Sequence, residues 1–197
     1  AKAIVSYAVG KRDGDTARTF LTDLRARVIG GPMLSSDAFA PYQNLVAEIF
    51  GEEVSYGQIV KRFVGEPHRD AARRYSPGIV VAVERTKLLG EPPEHLIGTS
   101  YIERLNLTVR MRQRRFTRLT NAYSKKVENH EAAVSLFVAH YNFVRTHESL
   151  RVTPAMELGL TDHVWPIGGL IKAAEAALDQ PVGRPSGRFR VIDGGLA

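Results

Sequence analysis

Ser100–Tyr101–Ile102–Glu103–Arg104–Leu105–Asn106–Leu107–Thr108–Val109–Arg110 sets a lone carboxylate at the head of a strongly basic stretch. From Arg104 to Lys126 stand eight Lys or Arg residues and no Asp or Glu. Ile102, Leu105, Val109, Phe116 and Leu119 recur at helical spacing, which predicts a helix from about Thr99. At about 100° per residue, Glu103, Asn106 and Arg110 share a face beside that apolar stripe. One face is suited to packing and the other to meeting phosphate.

The rest of the composition agrees with such a surface. Lys and Arg outnumber Asp and Glu by 27 to 21, giving a net charge of +6 and a pI near 9.7, which suits a polyanionic partner such as nucleic acid. A hydrophobic fraction of 44% over 197 residues is enough for a globular core. Cysteine is absent, so disulfides, thiolate metal sites and zinc fingers are excluded, and the chain fits a reducing compartment. No apolar run has the length of a membrane span and the opening residues do not read as a signal peptide, so the expectation is a cytoplasmic protein without a membrane partner.

Outward from the basic stretch, residues 3–9 are β-branched and aromatic and read as a strand, broken by Gly10–Lys11–Arg12–Asp13–Gly14. A helix follows with Asp15 as N-cap, an apolar stripe through Ala17, Phe20, Leu21, Leu24 and Val28, and Gly30–Gly31 as its stop. Pro32–Asp37 reads as a short strand, and Pro41 opens a helix running to Phe50 before Gly51. Residues 52–64 and 79–89 read as extended, around a polar, Arg-rich loop. A helix from about His130 to Thr146 should turn Ala133, Leu136, Phe137, Tyr141 and Val144 inward, and a weaker helix covers Leu170–Leu178. Residues 181–197, rich in Gly, Pro and Arg, read as a flexible tail. This order predicts an α/β domain with a mixed sheet.

Two carboxylates stand out. Asp37 sits where a strand hands over to a helix, the edge of an α/β sheet where ligands collect, although a cap or turn explains it equally. Glu103 fits the reciprocal cap Ser100–x–x–Glu103. Together the pair could hold Mg²⁺ by hard oxygen ligands and present it to phosphates. Arg110 and Asn106, on the face of Glu103, suit a backbone phosphate and a base or sugar. Arg112, Arg114, Arg115 and Arg118 spread over more than one face, which also describes a solvated surface, but they lack acidic partners at helical spacing. His130, His140 and His147 are too widely spaced for a metal site.

Ser36–Asp37, Glu103–Arg104–Leu105–Asn106–Leu107–Thr108–Val109–Arg110, Arg114–Arg115–Phe116–Thr117–Arg118–Leu119–Thr120–Asn121–Ala122, and the run from Tyr141 to Pro154 together resemble the DDE transposases of bacterial insertion sequences, relatives of retroviral integrases. Within them, the first-numbered insertion-sequence family is the nearest likeness. The specific part is E-x-x-N-x-x-x-R followed by Y-N-x-x-R-x-H-x-x-L-x-x-T-P, and similarity covers about residues 4–165. The resemblance implies an RNase H-like, retroviral-integrase-like catalytic domain, with a mixed five-stranded sheet, helices on both faces and three carboxylates holding two Mg²⁺ ions for DNA cutting and joining. By position, Asp37 matches the second carboxylate and Glu103 the third, both catalytic and metal-binding. Asn106, Arg110, Arg112, Arg114, Arg115, Arg118, Lys125, Lys126 and Arg145 become the DNA-binding set. The partners implied are double-stranded DNA, both element ends and target, and further copies of the chain on that DNA.

The family's first carboxylate stands on the opening strand of the sheet. Residues 3–9 lead straight into the first helix, so they correspond to the third strand, and the first one or two strands are expected to be missing. The organisation read from this is a catalytic core over 1–155, incomplete at its N-terminus, a helical extension over 156–180 and the tail over 181–197. The function expected is DNA transposition by two-metal phosphoryl transfer, inactive in this chain alone for want of the first Asp. A catalytically silent DNA-binding or assembly remnant is the alternative.

Overall fold

The computed structural model describes residues 2–64, 79–117 and 120–178, together with the backbone of 189–190. Helix α1 (Gly14–Arg27) leads into a short β1 (Val28–Ile29), then β2 (Met33–Asp37), α2 (Pro41–Phe50), β3 (Ser55–Val64), β4 (Ile79–Leu89), α3 (Ser100–Arg112), α4 (Val127–Ala139), a one-turn α5 (Pro154–Glu157), α6 (Ile167–Leu178) and β5 (Phe189–Arg190). The fold is therefore α/β. Among the described residues the larger sheet is mixed and three-stranded in the order β2-β3-β4, with β2 parallel to β3 and β3 antiparallel to β4, and β1 and β5 form a separate parallel pair.

The central strand β3 is buried on both sides over Tyr56, Gly57, Gln58 and Ile59, as a strand covered on two faces must be. One face carries Leu34 and Tyr56 into a core with Ala17 and Leu21 of α1 and Leu45, Val46 and Phe50 of α2. Each large apolar side chain sealed there contributes on the order of 1.5–3 kcal/mol. Pro41 at the first helical position and Gly51 at φ 66° fix both ends of α2. The other face carries Ser35, Gly57 and Ile59, and the segment before α3 lies on it. The Ser35 hydroxyl donates to the Gly98 carbonyl at 3.1 Å and accepts from the Gly98 N–H at 2.8 Å. Gly57 admits Ile97, because a Cβ there would come within 2.5 Å of Ile97 Cδ1.

Within the α1/α2 side runs a chain of polar groups: Gln43 donates to Gln58 Oε1 at 3.1 Å, Gln58 donates to the Tyr56 hydroxyl at 2.7 Å, and Tyr56 meets the Ser36 hydroxyl at 2.7 Å. Burial of Gln58 is tolerated because its partners are present. At its far end the β3–β4 pair runs out of cover. Phe63 lies opposite Val80 and Val64 opposite Ile79, and all four are exposed. The ladder shifts register between Arg62 and Phe63, just before this end.

Several expectations are corrected. Residues 2–9 form no strand, because no strand lies beside them among the described residues; Asn142 substitutes, accepting from the Ile4 N–H at 3.0 Å and donating to the Ile4 carbonyl at 2.9 Å. The α1 cap is Asp13, not Asp15, with its carboxylate accepting from the Thr16 N–H at 3.0 Å. The basic helix stops at Arg112, where Gln113 takes an extended conformation and its side chain donates to the Ala133 carbonyl of α4 at 2.8 Å. Phe116 thus falls in a 3₁₀ turn, and Leu119 lies outside the described residues. The later helix begins at Val127 and ends in a π-turn over His140–Val144, closed by Arg145 N–H to His140 O at 3.0 Å, and Leu136 faces solvent. Of the tail, Phe189–Arg190 pair in parallel with Val28–Ile29, and the remainder lies outside the described residues.

Candidate functional site

Asp37 ends β2 with its side chain exposed. Oδ1 accepts from the Phe39 N–H at 3.3 Å, closing the turn into α2, while Arg12 Nη2 lies 3.1 Å from Oδ2. The Arg12 guanidinium also stands over the Phe39 ring, 4.7 Å from its centroid. Asp37 does not cap α2, whose N-cap position is Ala40.

Glu103 stands in the first turn of α3, where a negative charge is favoured by the helix dipole. The expected reciprocal cap with Ser100 does not form, because Thr99 takes the N-cap position and Ser100 is already helical. Instead Glu103 Oε1 accepts from Lys61 Nζ at 2.6 Å and from the Thr99 hydroxyl at 2.8 Å. The Lys61 ammonium, with the Thr99 hydroxyl second, holds the Glu103 carboxyl below the usual carboxylate range.

Strand β3 links the two carboxylates. Asp37 pairs with Ile59, and Lys61, two residues further on the same face, reaches Glu103. That step is about 7 Å along the strand. The two acids therefore belong to one face and one end of the sheet, although each is neutralised by its own cation. Among the described residues no group of three or more His, Asp or Glu side chains converges as a metal cage would require. The donors that are present, two exposed carboxylates, are of the hard oxygen type that Mg²⁺ takes, and Arg12 and Lys61 now hold positive charge against them. The donor chemistry fits, as a partial set.

One turn beyond Glu103, Asn106 lines a cavity of about 640 Å³ together with Asp37, Ile102 and Val109. Asn106 and Arg110 lie on the Glu103 face of α3 and are exposed, and Arg110 has no ion pair among the described residues. Arg112 is the last residue of α3. Arg114 and Arg115 sit in the following 3₁₀ turn and do not extend a helical stripe; Arg115 donates to the Ser124 hydroxyl at 2.6 Å. Lys125 and Lys126 are exposed just before α4, and Arg118 lies outside the described residues. Arg145 follows the π-turn with its guanidinium 5.9 Å from the Tyr141 ring centre.

Sequence reasoning missed Lys61 and Arg12 as the partners of the two acids, since neither lies at a local spacing from them. It also passed over Lys2 and Arg104, which line a second cleft with Arg112, Arg145 and His147. The Thr153–Pro154 end of the motif proves to be a cap: the buried Thr153 hydroxyl accepts from the Met156 N–H at 3.2 Å, and Pro154 opens α5. No helix among the described residues is long and apolar enough to cross a membrane. Comparison of the chain with protein-family models, curated proteins and solved structures finds no match.

Proposed function

We propose that the chain is part of a DDE transposase catalytic domain of RNase H-like architecture, acting on double-stranded DNA, with Asp37 and Glu103 as its contribution to a carboxylate site. One observation carries this reading: acids 66 residues apart in sequence are tied to one end of one sheet face through Ile59 and Lys61 of β3. The motif residues Glu103, Asn106 and Arg110 on a single helical face, an Arg110 without an ion pair among the described residues, and the positive net charge support it further.

In this reading Asp37 and Glu103 would hold Mg²⁺, with two ions in a site completed by a third carboxylate. When bound, such ions would supply the Lewis acidity that activates an attacking hydroxyl and stabilises the leaving oxygen of phosphoryl transfer. The chain's own groups do the positioning. The Thr99 hydroxyl fixes the orientation of the Glu103 carboxylate, and the Phe39 N–H fixes that of Asp37. Arg110 and the lysines before α4 neutralise DNA phosphates, and Asn106 faces the cavity beside Asp37.

A second reading, a silent DNA-binding or assembly protein, draws on the ion pairs that already neutralise both acids. Mg²⁺ titration followed by amide resonances separates the two. Shifts concentrated at Asp37 and Glu103, lost in Asp37→Asn and Glu103→Gln, support the catalytic reading. DNA binding without any such shifts supports the silent one.

A further inference from the structure

The cleft between α3 and the loop that follows α4 has a volume of about 1000 Å³. Lys2, Arg104, Arg112, Arg145 and His147 line it, and among the described residues Glu148, which is exposed, is its one carboxylate. None of the four Lys and Arg residues is ion-paired among the described residues; Lys2 donates to the Ser149 hydroxyl at 2.5 Å, and Arg145 leans on Tyr141. Such a concentration of unpaired cations on a concave wall focuses a positive field outward.

His147 gives an independent sign. Its Nε2 is buried without a hydrogen-bond partner, whereas buried polar atoms are almost always matched. The ring is set edge-on to Tyr141, 4.7 Å between centres, by a tight turn in which the His147 carbonyl accepts from the N–H groups of Leu150 and Arg151. That turn places Arg151 at φ 60°, a left-handed conformation that L-residues adopt at a cost. Burial lowers the proton affinity of the imidazole, and Arg145, Lys2 and Arg112 push the same way. An anion seated among these cations would offset the part that they contribute.

The length of the cleft wall selects the kind of anion. Arg104 and Arg112 are eight residues apart on α3, about 12 Å of helix, too far to grip one phosphate together. Measured along a duplex axis, that distance corresponds to about three to four base pairs at about 3.4 Å each. We infer that this cleft is the track for one DNA backbone, with Arg104 and Arg112 on one wall, Arg145 and Lys2 on the other, and His147 at its floor. The inference rests on the DNA-binding reading above but assigns the contact to a face of α3 different from that of Glu103, Asn106 and Arg110.

The test uses the full chain, a fluorescein-labelled duplex and anisotropy over a range of salt. Removing both cleft arginines in Arg104→Gln/Arg112→Gln should lower the slope of log K against log salt by about 1 per residue. Lys172→Gln, on α6 outside the cleft, should leave it unchanged. In wild-type protein the His147 Cε1–H resonance should move when duplex is added, a readout that needs no variant to fold. Wild-type binding with an unaltered slope in the double variant, or with a stationary His147 resonance, overturns the cleft and leaves the DNA-binding reading intact. A wild-type chain that binds no duplex overturns both.

Discussion

Lys61 Nζ lies 2.6 Å from Glu103 Oε1, so the carboxylate at the head of α3 is held to the sheet by a cation from β3. Glu103 is 55% exposed, and a pair this open to water is worth at most about 1 kcal/mol. Glu103→Gln should therefore leave the thermal midpoint nearly unchanged while removing Mg²⁺-dependent resonance shifts. Lys61→Met, which frees the carboxylate, should strengthen Mg²⁺ binding. Calorimetry and a metal titration on the two variants check this, and weaker binding in Lys61→Met would show that the lysine assists the metal site.

Gly57 is where the sheet receives the segment leading to α3. A Cβ there meets Ile97 Cδ1 at 2.5 Å and Cγ1 at 2.7 Å, and Ile97 is itself 1% exposed, with little room to retreat. Gly57→Ala should cost about 1–3 kcal/mol in urea unfolding and shift the resonances of Gly98 and Thr99. A stability loss below about 0.5 kcal/mol would mean that Ile97 repacks freely.

The side chain of Asn142 meets both backbone polar groups of Ile4. Asn142→Ala leaves both unmatched in a partly buried site, at a cost of about 1–3 kcal/mol. Amide exchange at Ile4 should accelerate by more than exchange in β3, since the contact is local. Equal acceleration everywhere would show that the 2–9 segment and the sheet unfold as one unit.

Folding lowers the proton affinity of His147, chiefly through burial and then through Arg145, Lys2 and Arg112. The unfolded chain consequently binds more protons in the window between the folded value and the ordinary imidazole value of 6.5. The stabilising contribution is complete above pH 6.5 and declines as pH falls through that window. His147→Gln should flatten this part of the stability–pH curve, measured by urea midpoints. An unchanged slope would assign it to other groups.

Legibility of the fold tracked how local the deciding forces were. Pro41 and Gly51 mark α2 to the residue, and β3 and β4 are visible in the sequence as runs rich in β-branched and aromatic residues, although β3 is buried only over its first half and β4 is mostly exposed. Residues 2–9 carry strand propensity, but propensity names no partner, and Asn142, 138 residues from Ile4, decides their state. Helix α3 ends without Gly or Pro because a tertiary contact, Gln113 to Ala133, competes with a further turn. The site was legible as residue types and hidden as geometry. Glu103 and Asp37 could be picked out, whereas Arg12, Lys61 and the cleft around His147 depend on which strands and loops become neighbours.

The bare apolar end of the β3–β4 pair, Phe63, Val64, Ile79 and Val80, sets a practical condition on work with this chain. At low ionic strength a net charge of +6 keeps copies apart. Added salt shortens the reach of that repulsion to about 8–10 Å near physiological strength and leaves greasy surfaces as adhesive as before. The high-salt arm of any test for DNA binding is thus the condition in which molecules begin to cling to each other, and a falling signal there has to be read beside a light-scattering trace.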